Sequence, residues 1–219
     1  MKVLVYDVET TGLPEKYAKI NQTSRWPYIV QFSWLLFDTS KNSLISVDDH
    51  IIQLPKNLKM APGSIKIHGI TNKQMRAEGK DIITILNKFQ NSVNSANILV
   101  AHNLDFDTNM ISVEQLRNIV PKNKRFRLLV NNRTKKYCTM KRGKTIANIK
   151  MYSEYLGKTI IKYPKLVELH RTLFNSIPNN LHNSLIDILV CFRCFAKLYW
   201  DIDILEKNEK LNLMWCENC

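Results

Sequence analysis

Three short stretches of this 219-residue chain place carboxylates where secondary-structure elements begin or end. The first is YDVETTGL, in which Asp7 and Glu9 follow the apolar run KVLVY. Side chains of a strand alternate between faces, so Val3, Val5, Asp7 and Glu9 share one face and Leu4, Tyr6 and Val8 the other. Two neighbouring carboxylates at the end of a core strand repel one another, and burial penalises each charge further. A bound cation would offset that cost. The second stretch, AHNLDFD, runs from an apolar strand into a helix and offers Asp105 and Asp107. In the third, HNSLID, His182 precedes a long apolar helix and Asp187 sits inside it, among Leu185, Ile186, Ile188 and Leu189. An unpaired carboxylate there costs about 2–7 kcal/mol on polar-group transfer scales, and more when charged. On a regular helix the five-residue spacing of His182 and Asp187 would separate them by about 140°. They converge only if His182 lies outside the helix, with Asn183 or Ser184 as the N-cap.

Four carboxylates that converge cannot all stay ionised at neutral pH without counter-charge. Oxygen-only ligands suit Mg²⁺ or Mn²⁺ better than Zn²⁺. Two such ions, typically about 3.5–4 Å apart, stabilise the attacking and the leaving oxygen of a phosphodiester displacement. Imidazole titrates near neutrality, so His182 could take the proton of the attacking water. A formal net charge of +13 and a pI near 9.5 favour a polyanionic partner such as nucleic acid.

Several elements must position these groups. TTGLPEKYAKINQTSRWP, with Gly12 and Pro14, breaks the first strand. Tyr28–Asp38 and Ser43–Pro55 are rich in β-branched and aromatic residues and predict two further strands, joined through TSKN as an antiparallel meander. Asp81–Val93 puts Ile82, Ile85, Leu86 and Phe89 on one helical face. Ala96–Asn103 predicts a short apolar strand, followed by a helix through Leu116. Pro164–Phe174 predicts a helix with Pro in its first turn, and Asn183–Trp200 the most apolar helix of the chain. The pattern implies a mixed sheet covered by helices. No segment from 201 to 219 is placed by its pattern.

The three stretches resemble, in order, the exonuclease motifs of the DEDD superfamily, in its His-bearing (DEDDh, DnaQ-like) subgroup. That family includes proofreading subunits of polymerases, oligoribonucleases and DNA-degrading 3′→5′ exonucleases. WPYIVQFSW, IHGIT (Ile67 to Thr71) and YPKLVELHRTLF also look familiar as a second strand, a connecting turn and the helix before the third motif. The resemblance implies an α/β, ribonuclease-H-like mixed five-stranded sheet, antiparallel meander plus parallel strands, flanked by helices. It implies one exonuclease domain over 1–200 and a short C-terminal tail over 201–219. By position, Asp7, Glu9, Asp107 and Asp187 would bind two Mg²⁺ ions, with Mn²⁺ as a substitute, and His182 would be the general base. Asp107, beside Phe106, matches the ligand position, and Asp105 does not. Thr10, Thr11, Gly12 and Leu13 would cradle the terminal nucleotide, with His102, Asn103 and Phe106 near it. Leu104 and Ser184 stand where relatives often carry Ala, and the loop between Pro14 and Trp26 is longer than in compact members.

Arg117–Lys150 contains no Asp or Glu. Within it Arg125, Arg127, Lys135 and Lys136 could neutralise substrate phosphates, and Phe126 and Tyr137 could stack on bases; a solvated basic surface is the alternative. Five cysteines, an odd count without a secreted disulfide framework, favour a reducing compartment. Cys191/Cys194 and Cys216/Cys219 have the spacing of zinc ligands, but the first pair fits small buried helix residues better. No apolar run reaches the roughly 20 residues of a membrane helix, and no signal peptide is evident. An intracellular soluble protein, cytoplasmic or nuclear, is expected. The Ile-, Asn- and Lys-rich composition points to an AT-rich genome, viral or microbial. The expected partner is single-stranded or 3′-frayed nucleic acid, DNA or RNA. A polymerase-bound proofreading subunit and a non-catalytic binding module on the same fold are the alternatives, and these residues leave oligomeric state open.

Overall fold

A nine-residue strand in which every residue from Val3 to Tyr6 is buried forms the centre of the molecule. The computed structural model describes residues 1–118 and 134–219. This first strand, β1 (Lys2–Thr10), pairs antiparallel with β2 (Ile29–Asp38), which pairs antiparallel with β3 (Ser43–Ile51). On its other side β1 runs parallel to β4 (Ile98–Ala101), and β4 parallel to β5 (Lys135–Cys138). The sheet order is therefore β3-β2-β1-β4-β5. The expected mixed five-stranded sheet, meander plus parallel strands, is the observed architecture.

Because β1 alternates, its two faces enter two cores. Leu4, Tyr6 and Val8 pack under α3 (Ile82–Ser95) and α4 (Leu104–Asn118). In that layer Tyr6, Phe32 and Trp34 gather around Phe89 at centroid distances of 4.7–5.3 Å; such aromatic pairs add about 0.5–1.5 kcal/mol each beyond area burial. Val3 and Val5 pack instead under α7 (Ser184–Trp200), with Ile188, Phe192 and Phe195. The face that carries Asp7 and Glu9 is thus the face α7 covers.

The remaining elements refine the sequence expectations. Residues 62–78, read only as a connecting turn around 67–71, form α1 (Pro62–His68) and α2 (Asn72–Glu78). Pro62 opens α1, Gly69 closes it in the left-handed region (φ 77°), and Thr71 caps α2 by accepting the Gln74 N–H. Pro164 lies outside the first turn of α6 (Leu166–Phe174), where Lys165 is the N-cap. Downstream of β5 the chain forms α5 (Thr139–Ala147) and a separate hairpin of β6 (Lys150–Ser153) and β7 (Lys158–Ile161). Residues after 201 form α8 (Ile204–Lys207) and α9 (Glu209–Asn218), with Ile204 and Leu211 buried in the core under α7. No helix among the described residues is long and apolar enough to cross a membrane.

The basic stretch separates into parts with different surroundings. Arg117 faces inward: it pairs with buried Glu114 at 2.5 Å, donates to the carbonyls of Thr23, Trp26 and Pro27 at 2.6–2.9 Å, and lies 3.9 Å from the Tyr28 ring centroid. It clamps the long loop after β1 and is no phosphate ligand. Arg125, Phe126 and Arg127 lie outside the described residues. Lys135 and Lys136 are exposed on β5, level with Ile98 and Leu99 at the start of β4. That is the opposite end of the parallel strands from Asp7 and Glu9, so the structure does not bring these lysines to the carboxylates. Tyr137 is buried edge-on against Phe195 and Tyr199 and is not free to stack on a base.

Candidate active site

Register explains how the carboxylates meet. Val5 lies beside Val100, so β4 ends one residue later, at Ala101, while β1 continues through Asp7 and Glu9 to Thr10. The two acidic residues therefore project past the carboxyl end of the neighbouring parallel strand, the edge at which open α/β sheets bind ligands. Asn103, in the left-handed region (φ 73°), turns the chain into α4, and its carbonyl accepts the Phe106 N–H at 2.8 Å. This turn swings Asp107 inward, where it is buried, and leaves Asp105 exposed and paired with Lys141.

On the opposite face, Asn183 caps α7 by accepting the Leu185 N–H, which leaves His182 outside the helix. His182 is exposed and holds a left-handed backbone, φ 70°. A non-glycine residue in that region carries about 1–3 kcal/mol of strain, a cost that clusters at functional sites. The C-terminal helix braces this turn. Asn179 donates its N–H to the Cys219 carbonyl (2.9 Å), the Asn180 amide donates to the Asn218 carbonyl (3.1 Å), and Leu181 packs in the cluster that contains Trp215 and Cys219.

The outcome is a group in which one ligating atom each of Glu9, His182 and Asp187 lies within 4.8 Å of the others. Asp7 adjoins it and bears electrostatically on Glu9, Asp107 and Asp187 alike. Burial raises Asp7 to about 7. Burial, then Asp7 and Asp187, raise Glu9 to about 9. Burial and Asp7 likewise hold Asp107 and Asp187 well above the usual carboxylate range, with backbone N–H groups opposing. Among the described residues, the buried Asp7 Oδ2 and Asp187 Oδ1 have no hydrogen-bond partner. Orphaned carboxylate oxygens within one acidic cluster are the donor set that a hard divalent cation satisfies. Asp7, Glu9, Asp107 and Asp187 therefore fit such an ion. The cysteine pairs form no comparable group among the described residues: Cys191 and Cys194 are buried in α7, and Cys216 is exposed.

Buried Gln31 on β2 ties the two faces of the site together. Its amide nitrogen donates to Asp49 Oδ1 (2.8 Å) and Asn183 Oδ1 (3.2 Å), and its Oε1 accepts the Ser184 N–H (3.2 Å). Ser184 Oγ then donates to the Asp7 carbonyl at 2.8 Å. The N-terminus of α7 is thus locked to β1, β2 and β3 at the point where His182 and Asp187 leave it. Gln31→Leu strands the buried Ser184 N–H and takes one donor each from Asn183 Oδ1 and Asp49 Oδ1, which keep the Leu185 N–H and the Ser33 hydroxyl. A loss of about 1–3 kcal/mol is expected on chemical denaturation, the cost of buried polar groups without partners.

A cleft of about 260 Å³ opens beside Glu9. Thr10, Thr11, Gly12, Leu13 and Phe106 line it, five of the seven expected nucleotide contacts. The loop is held in shape by Thr10 Oγ1 donating to the Gly12 carbonyl (2.6 Å) and by a two-way exchange between Thr11 and Tyr28. The other two differ. Asn103 is at the turn into α4, exposed. His102 is used by the scaffold: Nε2 donates to the Pro164 carbonyl (3.1 Å) and Nδ1 faces the Thr139 hydroxyl (2.9 Å), while burial lowers its pKa to about 4. Ser64, Ile67 and His68 of α1 complete the cleft wall. Sequence reasoning missed them, although Pro62, Gly69 and the spacing at 64, 67 and 68 carry a helix signature.

The family model described as exonuclease, RNase_T, matches residues 4–195. No curated protein matches the chain by sequence. Among solved structures it is similar to E. coli exonuclease I bound to a dT13 oligonucleotide, at 13% identity and a TM-score of 0.64 over 97% of this chain and 45% of that one. A zinc-bound complex of the E. coli enzyme with single-stranded DNA is similar at 17% identity and 0.64, over 97% and 44%. An exonuclease I structure discussed for processivity is similar at 14% and 0.65, over 97% and 45%. The chain thus spans under half the length of these proteins. At such identity the likeness shows a shared fold, the ribonuclease-H-like sheet.

Proposed function

Because the chain belongs to the RNase_T exonuclease family, of the DEDDh, DnaQ-like kind, we propose that it is a divalent-metal-dependent 3′→5′ exonuclease. It would act on single-stranded or 3′-frayed DNA or RNA and release nucleoside 5′-monophosphates. The observation that carries this reading is the convergence of Glu9, His182 and Asp187, beside Asp7 and Asp107, past the carboxyl end of β4. Neighbours solved with oligonucleotides support nucleic acid as the ligand class.

In this reading Asp7, Glu9, Asp107 and Asp187 hold two cations, Mg²⁺ or Mn²⁺, which when bound supply neutralisation of the cluster and stabilise the attacking and leaving oxygens. His182, exposed at the mouth, takes the proton of the attacking water and returns it to solvent between turnovers. The cleft from Thr10 to Leu13 seats the last nucleoside, with the partly buried Phe106 as its apolar wall. Gln31 and Ser184 keep the His182 side of the site in register with β1. Chromatography of the products of a 3′-hydroxyl oligonucleotide tests the reaction class. Nucleoside 5′-monophosphates are expected as the only early products, and internal fragments would overturn the exonuclease reading.

A further inference from the structure

The β6–β7 hairpin combines features that the site does not use. Lys150 pairs with Ile161 and Tyr152 with Thr159, so these four side chains share one face, and all are exposed. Tyr152 is 64% exposed and Tyr155, at the turn, 96%. Two strands alone are marginal in water, and large rings on them gain nothing from solvent. Between 141 and 165 the chain carries seven Lys or Arg and one acidic residue, Glu154, with Tyr152, Tyr155 and Tyr163 among them. Lys144 lies 4.6 Å from the Tyr163 ring centroid.

The hairpin also has a fixed place. Lys162 N–H bonds to the Ile149 carbonyl (2.9 Å) and closes its base, and Lys162 Nζ pairs with Glu168 at 2.6 Å. Two residues on, the Pro164 carbonyl accepts from His102, the residue that follows β4 by one and leads into Asn103 and α4. Its foot therefore stands at the same end of the sheet as Asp7, Glu9 and Asp107. Protein interfaces are depleted of Lys at their centres. Rings alternating with cations are instead the chemistry of single-stranded nucleic acid, in which unpaired bases stack and phosphates are neutralised.

The geometry points to the Lys150–Tyr152 face and Tyr155 as a stacking platform for the upstream part of a single strand whose 3′ end lies in the carboxylate cleft. The inference rests on the exonuclease reading for the strand's polarity, and its test separates the two. Fluorescence anisotropy in EDTA measures binding without turnover, with 5′-labelled oligothymidylates of about four and about sixteen nucleotides. The Tyr152→Ala/Tyr155→Ala variant is expected to lose at least about tenfold in affinity for the long probe, or about 1.4 kcal/mol, with the short probe unchanged. Tyr152→Phe/Tyr155→Phe retains wild-type binding. A second variant, Lys150→Glu, which reverses the cation on the same face as Tyr152, is expected to weaken the long probe and to flatten its salt dependence. Unchanged long-probe affinity in both variants overturns the platform, and so does an equal loss for both probes. Sedimentation showing a dimer that the tyrosine variant dissolves, without change in long-probe affinity, assigns the hairpin to a protein contact and also overturns it. Wild-type protein that binds the long probe through these tyrosines but shortens neither probe in Mg²⁺ leaves the platform standing and removes the exonuclease reading.

Discussion

Asp107→Asn is expected to abolish phosphodiester cleavage, by about a thousandfold or more, and at the same time to stabilise the chain in EDTA. The loss follows from the role assigned to the cluster: removing one ligand forfeits several kcal/mol of charge stabilisation in the transition state, and about 4 kcal/mol is a thousandfold in rate. The gain follows from the surroundings. Asp107 is buried next to Asp7, and both burial and that neighbour oppose its ionised form. An amide keeps the shape and the acceptor facing the Val8 backbone while removing the charge. His182→Ala separates the roles: an exposed ring outside the helix carries little of the fold, and general-base loss costs about 10²–10⁴-fold. Single-turnover rates in Mg²⁺ and denaturant melts in EDTA measure both effects. Asp107→Asn with a rate within tenfold of wild type would contradict the assignment.

The second large effect is on stability and pH. Asp7 and Glu9 reach about 7 and about 9 in the folded chain, against about 3.9 and 4.3 for free side chains. Between those limits the folded protein binds more protons than the unfolded one, so stability without metal falls as pH rises from about 4 to about 9. In the proposed reading, divalent cation is expected to reverse this by binding the ionised cluster of the folded state only. At a hundredfold excess over Kd the gain is about 2.7 kcal/mol, or about 5–10 °C in Tm for a chain of this size. The shift with Mg²⁺ or Mn²⁺ is expected to be larger at about pH 8 than at about pH 5, where protons compete for the carboxylates. A pH-independent Tm in EDTA, with no response to either cation, would mean that these carboxylates neither repel one another nor bind metal.

Much of this site was legible because its parts are local. Asp7 and Glu9 are set on the α7 face by the period of a strand, and Asn183 places His182 outside a helix by ordinary capping. The meander and the apolar strand β4 were legible in their patterns, but β5 (Lys135–Cys138) was not, and the place of β4 and β5 beside β1 emerges only from the structure. What escaped depends on distant partners. Arg117 looks like a surface cation until Thr23, Trp26 and Pro27, some 90 residues earlier, present their carbonyls to it. Tyr137 looks available for stacking until Phe195 and Tyr199 of α7 cover it. His102 sits in a motif, yet its ring is held by Thr139 and Pro164, from a helix and a loop whose positions no local pattern encodes. Helices α1, α8 and α9 are short, and a few turns of weak periodicity do not separate them from loops. Their contributions, a cleft wall from α1 and a brace under the His182 turn from α9, emerge only from packing.

The most direct test of the central claim is digestion of matched 5′-labelled single-stranded DNA and RNA oligonucleotides, with Mg²⁺ or with EDTA, resolved at single-nucleotide steps. The account predicts a ladder that shortens from the 3′ end in Mg²⁺ and is absent in EDTA, with the faster of the two sugars naming the substrate class. Folded protein that shortens neither strand in Mg²⁺ or Mn²⁺ would contradict it and leave a nucleic-acid-binding module on this fold.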